Sequence, residues 1–142
     1  MRLIKQGDNE GCGLACVAML SGTSYAAVRN TYRAVTKTNE DDPVKPTDLR
    51  LLKQIMEKHG IVIEGRMRRI DDEKHVMLEK LDNLDLDCDT LLKVNPREGG
   101  RRWHWVIWDH RRRRVLDPKV PPYKKLKRVG YWRLGRMPIK EE

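Results

Sequence analysis

The sequence predicts an α+β protein in which the helices come first and an antiparallel sheet follows. Apolar residues recur at helical spacing in three segments before residue 60, and they favour strands after it. A short, very basic turn around His110 and Arg111 separates two apolar runs, which is typical of a β-hairpin. The 142 residues fit one domain, which we expect to span residues 1–142.

Three helices are expected in the first half of the chain. The first begins at Cys12 in the run GCGLACVAML, which is rich in alanine and apolar residues. Thr23 or Ser24 caps the second helix, and the polar run TKTNEDDPVKP after it is a loop. Thr47 caps the third helix, DLRLLKQIMEKHG, and Gly60 ends it.

The sheet is expected to use the remaining residues. IVIEGRMRRI and CDTLLKVN are predicted strands, and the charged stretch 71–86 between them is predicted to be helical or looped. WHWVIWD and RRVLDP form the hairpin. The tail, residues 123–139, adds one or two strands with bends at Gly130 and Gly135.

The sequence predicts neither a membrane span nor a signal peptide. No apolar stretch approaches the roughly 18–20 residues that cross a bilayer, and the N-terminus has no long apolar run before a cleavage site. We therefore expect a cytoplasmic protein.

Positive charge is concentrated in the C-terminal part. Residues 1–92 carry 14 Lys or Arg and 16 Asp or Glu, whereas residues 93–142 carry 16 and 5. A part with a net charge of +11 attracts an acidic peptide, nucleic acid or an anionic surface. The alternative is a solvated face that only keeps the protein soluble.

The three cysteines indicate a reactive thiol rather than a disulfide framework, because their number is odd and the expected compartment is reducing. Zinc is a weaker alternative, since no second pair of Cys or His ligands follows Cys12 and Cys16 at metal-binding spacing. We expect no metal and no cofactor.

Cys12 lies where a helix begins, between Gly11 and Gly13, and a helix N-terminus stabilises a thiolate. Cys16 falls one turn inside the helix, as a small buried residue does.

A nucleophilic cysteine needs a histidine base, and that base needs an acceptor to orient it. His104 lies in the apolar strand WHWVIW, and the hairpin brings Asp117 alongside it. Gln6 precedes Cys12 by six residues, so its amide could join the Cys12 backbone N–H in an oxyanion hole. The sequence therefore predicts a site composed of Cys12, His104, Asp117 and Gln6.

The segment QGDNEGCGLACVAML resembles the nucleophile segment of the bacteriocin-processing, double-glycine-leader peptidases, a papain-like cysteine peptidase family. The match to Gln6, Cys12 and the following Gly-x-Ala-Cys is joined by two later motifs. His104 is followed by Trp-Val-Ile, as in the family's histidine motif, and Asp117 is followed by proline. One position departs from the pattern: Gly11 stands where the family often has an acidic residue.

This resemblance implies a papain-like fold, with N-terminal helices that carry Cys12 packed on a sheet that carries His104 and Asp117. It implies hydrolysis of a peptide bond in a peptide or protein substrate, with a double-glycine-type leader as one candidate. No GxxxxGK[ST] phosphate loop follows, so we expect a free-standing peptidase.

The competing hypothesis is a basic module that binds nucleic acid or an acidic partner without catalysis. Its candidate contacts are basic residues in the C-terminal part, with Trp103 or Trp132 available for stacking. The sequence has no RNA-recognition, helix-turn-helix or zinc-finger signature, so only the charge supports this hypothesis. The basic residues concerned are Arg111–Arg114, Lys124, Lys125, Lys127 and Arg128.

Overall fold

Three helices form the N-terminal part of the protein in the computed structural model, which describes residues 1–70, 75–77 and 86–137. They are α1 (Cys12–Ser21), α2 (Tyr25–Thr36) and α3 (Leu49–Lys58). α1 is buried along most of its length, whereas α2 and α3 are amphipathic and bury one face each.

The helix starts follow the expected chemistry with one correction. Of the two predicted candidates, Thr23 and Ser24, the Ser24 side chain caps α2 by accepting a hydrogen bond from a backbone N–H of the first turn. The cap of α3 is Asp48 rather than Thr47, so that prediction was wrong by one residue. Thr47 instead turns inward and is 4% exposed, and its carbonyl accepts a hydrogen bond from the Trp105 indole at 2.9 Å.

Seven strands are present in the described residues. They are β1 (Ile61–Arg69), β2 (His75–Met77), β3 (Thr90–Arg97), β4 (Arg102–Asp109), β5 (Arg114–Leu116), β6 (Lys125–Lys127) and β7 (Gly130–Arg136). Five of them form an antiparallel sheet in the order β1-β7-β3-β4-β5, and β2 pairs with β6 in a separate ribbon. The predicted hairpin is confirmed as β4 and β5, with Ile107 opposite Leu116. Helices followed by an antiparallel sheet confirm the α+β class.

Apolar side chains cover both faces of the sheet. One face packs against the three helices and contains the larger core, to which Leu91, Trp105 and Trp132 contribute. The other face carries a smaller core around Val106 and Leu126. Successive side chains of one strand alternate between the two faces of the sheet, whereas residues paired across neighbouring strands point to the same face.

Two further predictions need correction. Residues 75–77 form β2 rather than a helix or loop, while residues 71–74 and 78–85 lie outside the described residues. Gly130 and Gly135 are not bends, since both lie within β7. A Cβ at Gly130 would overlap Met67, and one at Gly135 would overlap Glu64, so both glycines permit close packing between β7 and β1. Residues 138 and 139 of the predicted tail lie outside the described residues.

Within the described ranges, no helix combines the length and apolarity that crossing a bilayer requires.

Candidate active site

Cys12 is the first residue of α1, and its side chain is partly exposed. The helix begins after Gly11, and no side chain in the described part of the chain caps this end. The first backbone N–H groups of a helix have no partner within it, so those at Cys12 and Gly13 are available to an anion. A thiolate or an oxyanion at this position would therefore meet positive electrostatic potential.

Gly13 keeps the start of α1 close to the third helix. A Cβ at this position would overlap the hydroxyl of the buried Thr47. The close approach explains why glycine follows the cysteine here, and it positions Thr47 beside the thiol-bearing turn.

His104 and Asp117 form a buried pair that spans the hairpin. His104 Nε2 lies 2.6 Å from Asp117 Oδ1, and the two residues are 7% and 8% exposed. Two backbone N–H groups also hold the carboxylate, because Lys119 donates to Oδ1 and Tyr123 donates to Oδ2, each at 2.9 Å. The Tyr123 ring packs edge-on against the imidazole, with ring centroids 5.3 Å apart. Asp117 is thereby fixed as an acceptor for the imidazole.

The Cys12 side chain lies close enough to the imidazole to act on its pKa, so the structure brings Cys12, His104 and Asp117 together. Because Asp117 takes Nε2, Nδ1 is the nitrogen left for the thiol. Burial lowers the pKa of His104, but its interactions with Asp117 and Cys12 outweigh burial and raise the pKa to about 9. The pair therefore favours an imidazolium at neutral pH.

Gln6 lies beside this group but engages its own loop. Its backbone N–H donates to the Pro118 carbonyl at 3.1 Å, which ties the N-terminal segment to the residue after Asp117. Its side-chain Nε2 donates to the carbonyls of Asp8 and Asn9 at 3.2 and 2.8 Å. Both amide hydrogens are used in this arrangement, so an oxyanion role for Gln6 stays a prediction and requires the amide to change partners.

A cleft of about 120 Å³ opens beside Cys12, between the start of α1, the Thr47 turn and β4. An ion pair between Glu10 and Arg102 borders it. We define this space as the thiol cleft, and its lining residues are Glu10, Cys12, Pro46, Thr47, Asp48, Arg101, Arg102, Trp103 and Trp105. Sequence reasoning did not identify Thr47 or Arg102 as part of it, since both come from other segments of the chain.

The other two cysteines differ from Cys12. All three lie within the described residues and are free. Cys16 is fully buried, and burial raises the pKa of its thiol well above the ordinary value, with further contributions from the charges of Cys12 and Asp117. Cys88 is partly exposed. No group of three or more His, Cys, Asp or Glu in the described ranges could hold a metal ion.

Two arginines of the basic turn between β4 and β5 contact neighbouring parts of the protein. Arg112 and Arg114 both donate to the Met1 carbonyl, at 2.6 and 3.1 Å. Arg114 also lies 3.6 Å from the buried Asp109. At least part of this charge therefore holds the N-terminus against the hairpin.

The chain has no match among protein-family models, curated proteins or solved structures, so its function must be inferred from the geometry of these residues.

Proposed function

We propose that this protein is a papain-like cysteine peptidase in which Cys12 is the nucleophile, His104 the base and acid, and Asp117 the orienting group. The observation that carries the proposal is the buried imidazole, which hydrogen-bonds to Asp117 and lies beside the partly exposed Cys12 thiol. A histidine with only a packing role would not require a partly exposed thiol beside it, or a helix that begins without a side-chain cap at that thiol.

The chemistry follows from these contacts. His104 is already protonated at neutral pH, so the Cys12 sulfur attacks as the thiolate of a thiolate–imidazolium pair. Its bond to the carbonyl carbon of the peptide gives a tetrahedral intermediate. The imidazolium then gives its proton to the leaving amine as the C–N bond breaks, leaving a thioester. Water, deprotonated by His104, attacks the thioester and releases the carboxylic acid with the thiol. Asp117 keeps the imidazole oriented throughout.

The oxyanion of the intermediate needs hydrogen-bond donors at a fixed position. The Cys12 backbone N–H is the donor that the start of α1 supplies, and the helix dipole has the required sign. Gln6 is our second candidate donor, and its use depends on releasing at least one of its two loop carbonyls.

The resemblance described above supports a leader peptide with a double-glycine-type cleavage site as the substrate. The thiol cleft lies next to the nucleophile and is partly apolar through Trp103 and Trp105. We propose that it receives the residues next to the scissile bond.

The test is a cleavage-site profile of a peptide library by mass spectrometry. We expect wild type to cleave and Cys12→Ala to be inactive, while the free energy of unfolding changes by less than about 1 kcal/mol. Cys88→Ala is the matched control because it removes another partly exposed thiol, and it should cleave as wild type does. A Cys12→Ala protein that cleaves at the wild-type rate would refute the proposal.

The alternative, a basic module without catalysis, makes a different prediction. It requires Cys12→Ala to bind single-stranded or duplex nucleic acid with a steep salt dependence, which a filter-binding titration measures. Absence of cleavage together with such binding would favour it over the peptidase.

A further inference from the structure

A second cleft lies close to the first and carries a different chemistry. Its volume is about 280 Å³, and its lining comes from β1, β3, the turn before β4 and the segment leading into β7. We define it as the basic cleft, lined by Met67, Arg69, Lys93, Pro96, Arg97, Glu98, Gly99, Gly100, Arg128 and Gly130. Four of these side chains are basic and one is acidic.

Strand register puts the two clefts on the same face of the sheet. Lys93 pairs with Trp105 on β4 and with Gly130 on β7, and Gly130 in turn pairs with Arg69 on β1. Paired residues point to one face. Trp105 belongs to the core beneath the helices and also lines the thiol cleft, so Lys93 and Arg69 lie on the side that carries Cys12.

Trp103 is the boundary between the clefts. Its ring lines the thiol cleft, and the Lys93 ammonium lies 3.9 Å from the centroid of that ring. The short turn Glu98–Gly100 lines the basic cleft, and the next residue, Arg101, lines the thiol cleft. A bound chain that leaves Cys12 past Trp103 therefore enters the basic cleft.

The basic cleft is crowded with positive charge. Burial lowers the pKa of Lys93, and the nearby charge of Arg69 lowers it further. An anion bound here would offset that repulsion and accept charge-assisted hydrogen bonds from several donors.

We propose that the basic cleft binds an acidic side chain of the peptide substrate, so that the enzyme selects peptides with Asp or Glu at a set distance from the scissile bond. This inference rests on the proposed peptidase function. It assigns specificity to Lys93, Arg97 and Arg128, which do not touch the reacting atoms. An acidic peptide suits the cleft better than nucleic acid does, because the cations converge in a concavity next to the nucleophile's cleft. A polynucleotide backbone needs a row of phosphate contacts along an extended groove.

The experiment measures binding without turnover, using the Cys12→Ala protein. The probes are fluorescein-labelled ten-residue peptides with a central Gly-Gly. One residue outside the Gly-Gly pair is replaced by Glu or by Gln, and each such position is tested in turn. Fluorescence anisotropy at low salt should show, at one or two positions, about tenfold tighter binding of the Glu peptide than of its Gln partner. That preference should weaken as salt rises, because the charges are partly exposed.

Charge-removing variants then locate the preference. Lys93→Gln with Arg128→Gln should abolish this preference, so that the Glu and Gln peptides bind with equal affinity. Arg111→Gln with Lys124→Gln removes the same charge from exposed positions outside the cleft and should preserve it. Should Lys93→Gln weaken the fold in urea titrations, the exposed pair Arg97→Gln and Arg128→Gln replaces it, with the same expected loss.

Three results would overturn the inference. The first is equal binding of the Glu and Gln peptides at every position, and the second is a preference that survives in the cleft variants. The third is competition by a 20-nucleotide single strand that displaces the Glu and Gln peptides equally from the unaltered cleft but not from the cleft variants. The last of these would indicate nucleic acid as the ligand. The proposed function is judged separately by cleavage with the wild-type enzyme. Glu-selective binding without cleavage would end the peptidase proposal and leave the acidic-ligand site standing.

Discussion

Replacing Asp117 with asparagine tests the electrostatics of the site most directly. The change keeps the shape of the side chain and removes the charge that faces His104 Nε2 at 2.6 Å. Raising the pKa of His104 from 6.5 to about 9 corresponds to roughly 3 kcal/mol in favour of the imidazolium, at about 1.4 kcal/mol per pKa unit. Burial opposes this stabilisation, so the loss of Asp117 should lower the His104 pKa by at least about one unit.

The same value fixes the sign of the pH dependence. The pKa of His104 in the folded protein lies above 6.5. The imidazolium therefore stabilises the fold fully below pH 6.5, and this contribution is lost as pH rises through about 9. Catalysis should follow the same limit, because the imidazolium must protonate the leaving amine. We expect kcat/KM to fall above about pH 9 in wild type and at least about one pH unit lower in Asp117→Asn.

Titration of the His104 Cε1–H resonance by NMR measures this pKa without a substrate, and the spectrum of His104→Asn assigns the signal. Asp109→Asn is the matched control, since Asp109 is a buried carboxylate of the same hairpin that lies beside Arg114 rather than a histidine. The control should leave the pKa near 9. A His104 pKa that stays near 9 in Asp117→Asn would refute the reasoning, as would a wild-type value near 6.5.

Three further predictions concern neighbouring positions. Gln6→Ala should fold normally and lower kcat by roughly 10²–10³-fold if the amide serves the oxyanion; an unchanged kcat with a lower urea midpoint would restrict Gln6 to holding its loop. Gly13→Ala should lower the free energy of unfolding by about 1–3 kcal/mol, because the new methyl overlaps Thr47; an unchanged urea midpoint would contradict that contact. Iodoacetamide should label Cys12 much faster than the buried Cys16 under native conditions, as measured by peptide mapping. Equal labelling rates would argue against an activated thiol at Cys12.

The features predicted well from sequence are those set by neighbouring residues. The start of α1 at Cys12, the Ser24 cap and the hairpin beside His104 each depend on short patterns. Asp48 rather than Thr47 caps α3 because either residue type can cap, and tertiary packing decides between them. Here packing of Thr47 against the start of α1 and against a tryptophan indole takes it out of the capping position.

Two features that depend on distant segments were not predicted. β2 is three residues long and pairs with β6 about fifty positions later, so no local pattern announces it. The basic cleft likewise draws its cations from three separate segments, namely β1, β3 and the residues before β7. One signal was present in the sequence: Lys93 follows Leu91 by two positions and therefore occupies the core-facing alternation of β3, where a charge is unexpected. The engagement of Gln6 with its own loop had no such signal.

Trp103 gives this protein an intrinsic optical reporter at the boundary of its two clefts. All four tryptophans lie in the described ranges, and the other three are between 1% and 5% exposed. Trp103 is the more accessible one, it packs edge-on against Trp105 with centroids 5.7 Å apart, and it carries the Lys93 ammonium on its ring. Collisional quenching by acrylamide should therefore report mainly on this indole, and a ligand that enters either cleft should shield it. Ligand occupancy of either cleft can thus be followed by the tryptophan fluorescence of the unlabelled protein. A rapid-mixing experiment would record binding directly, without relying on turnover.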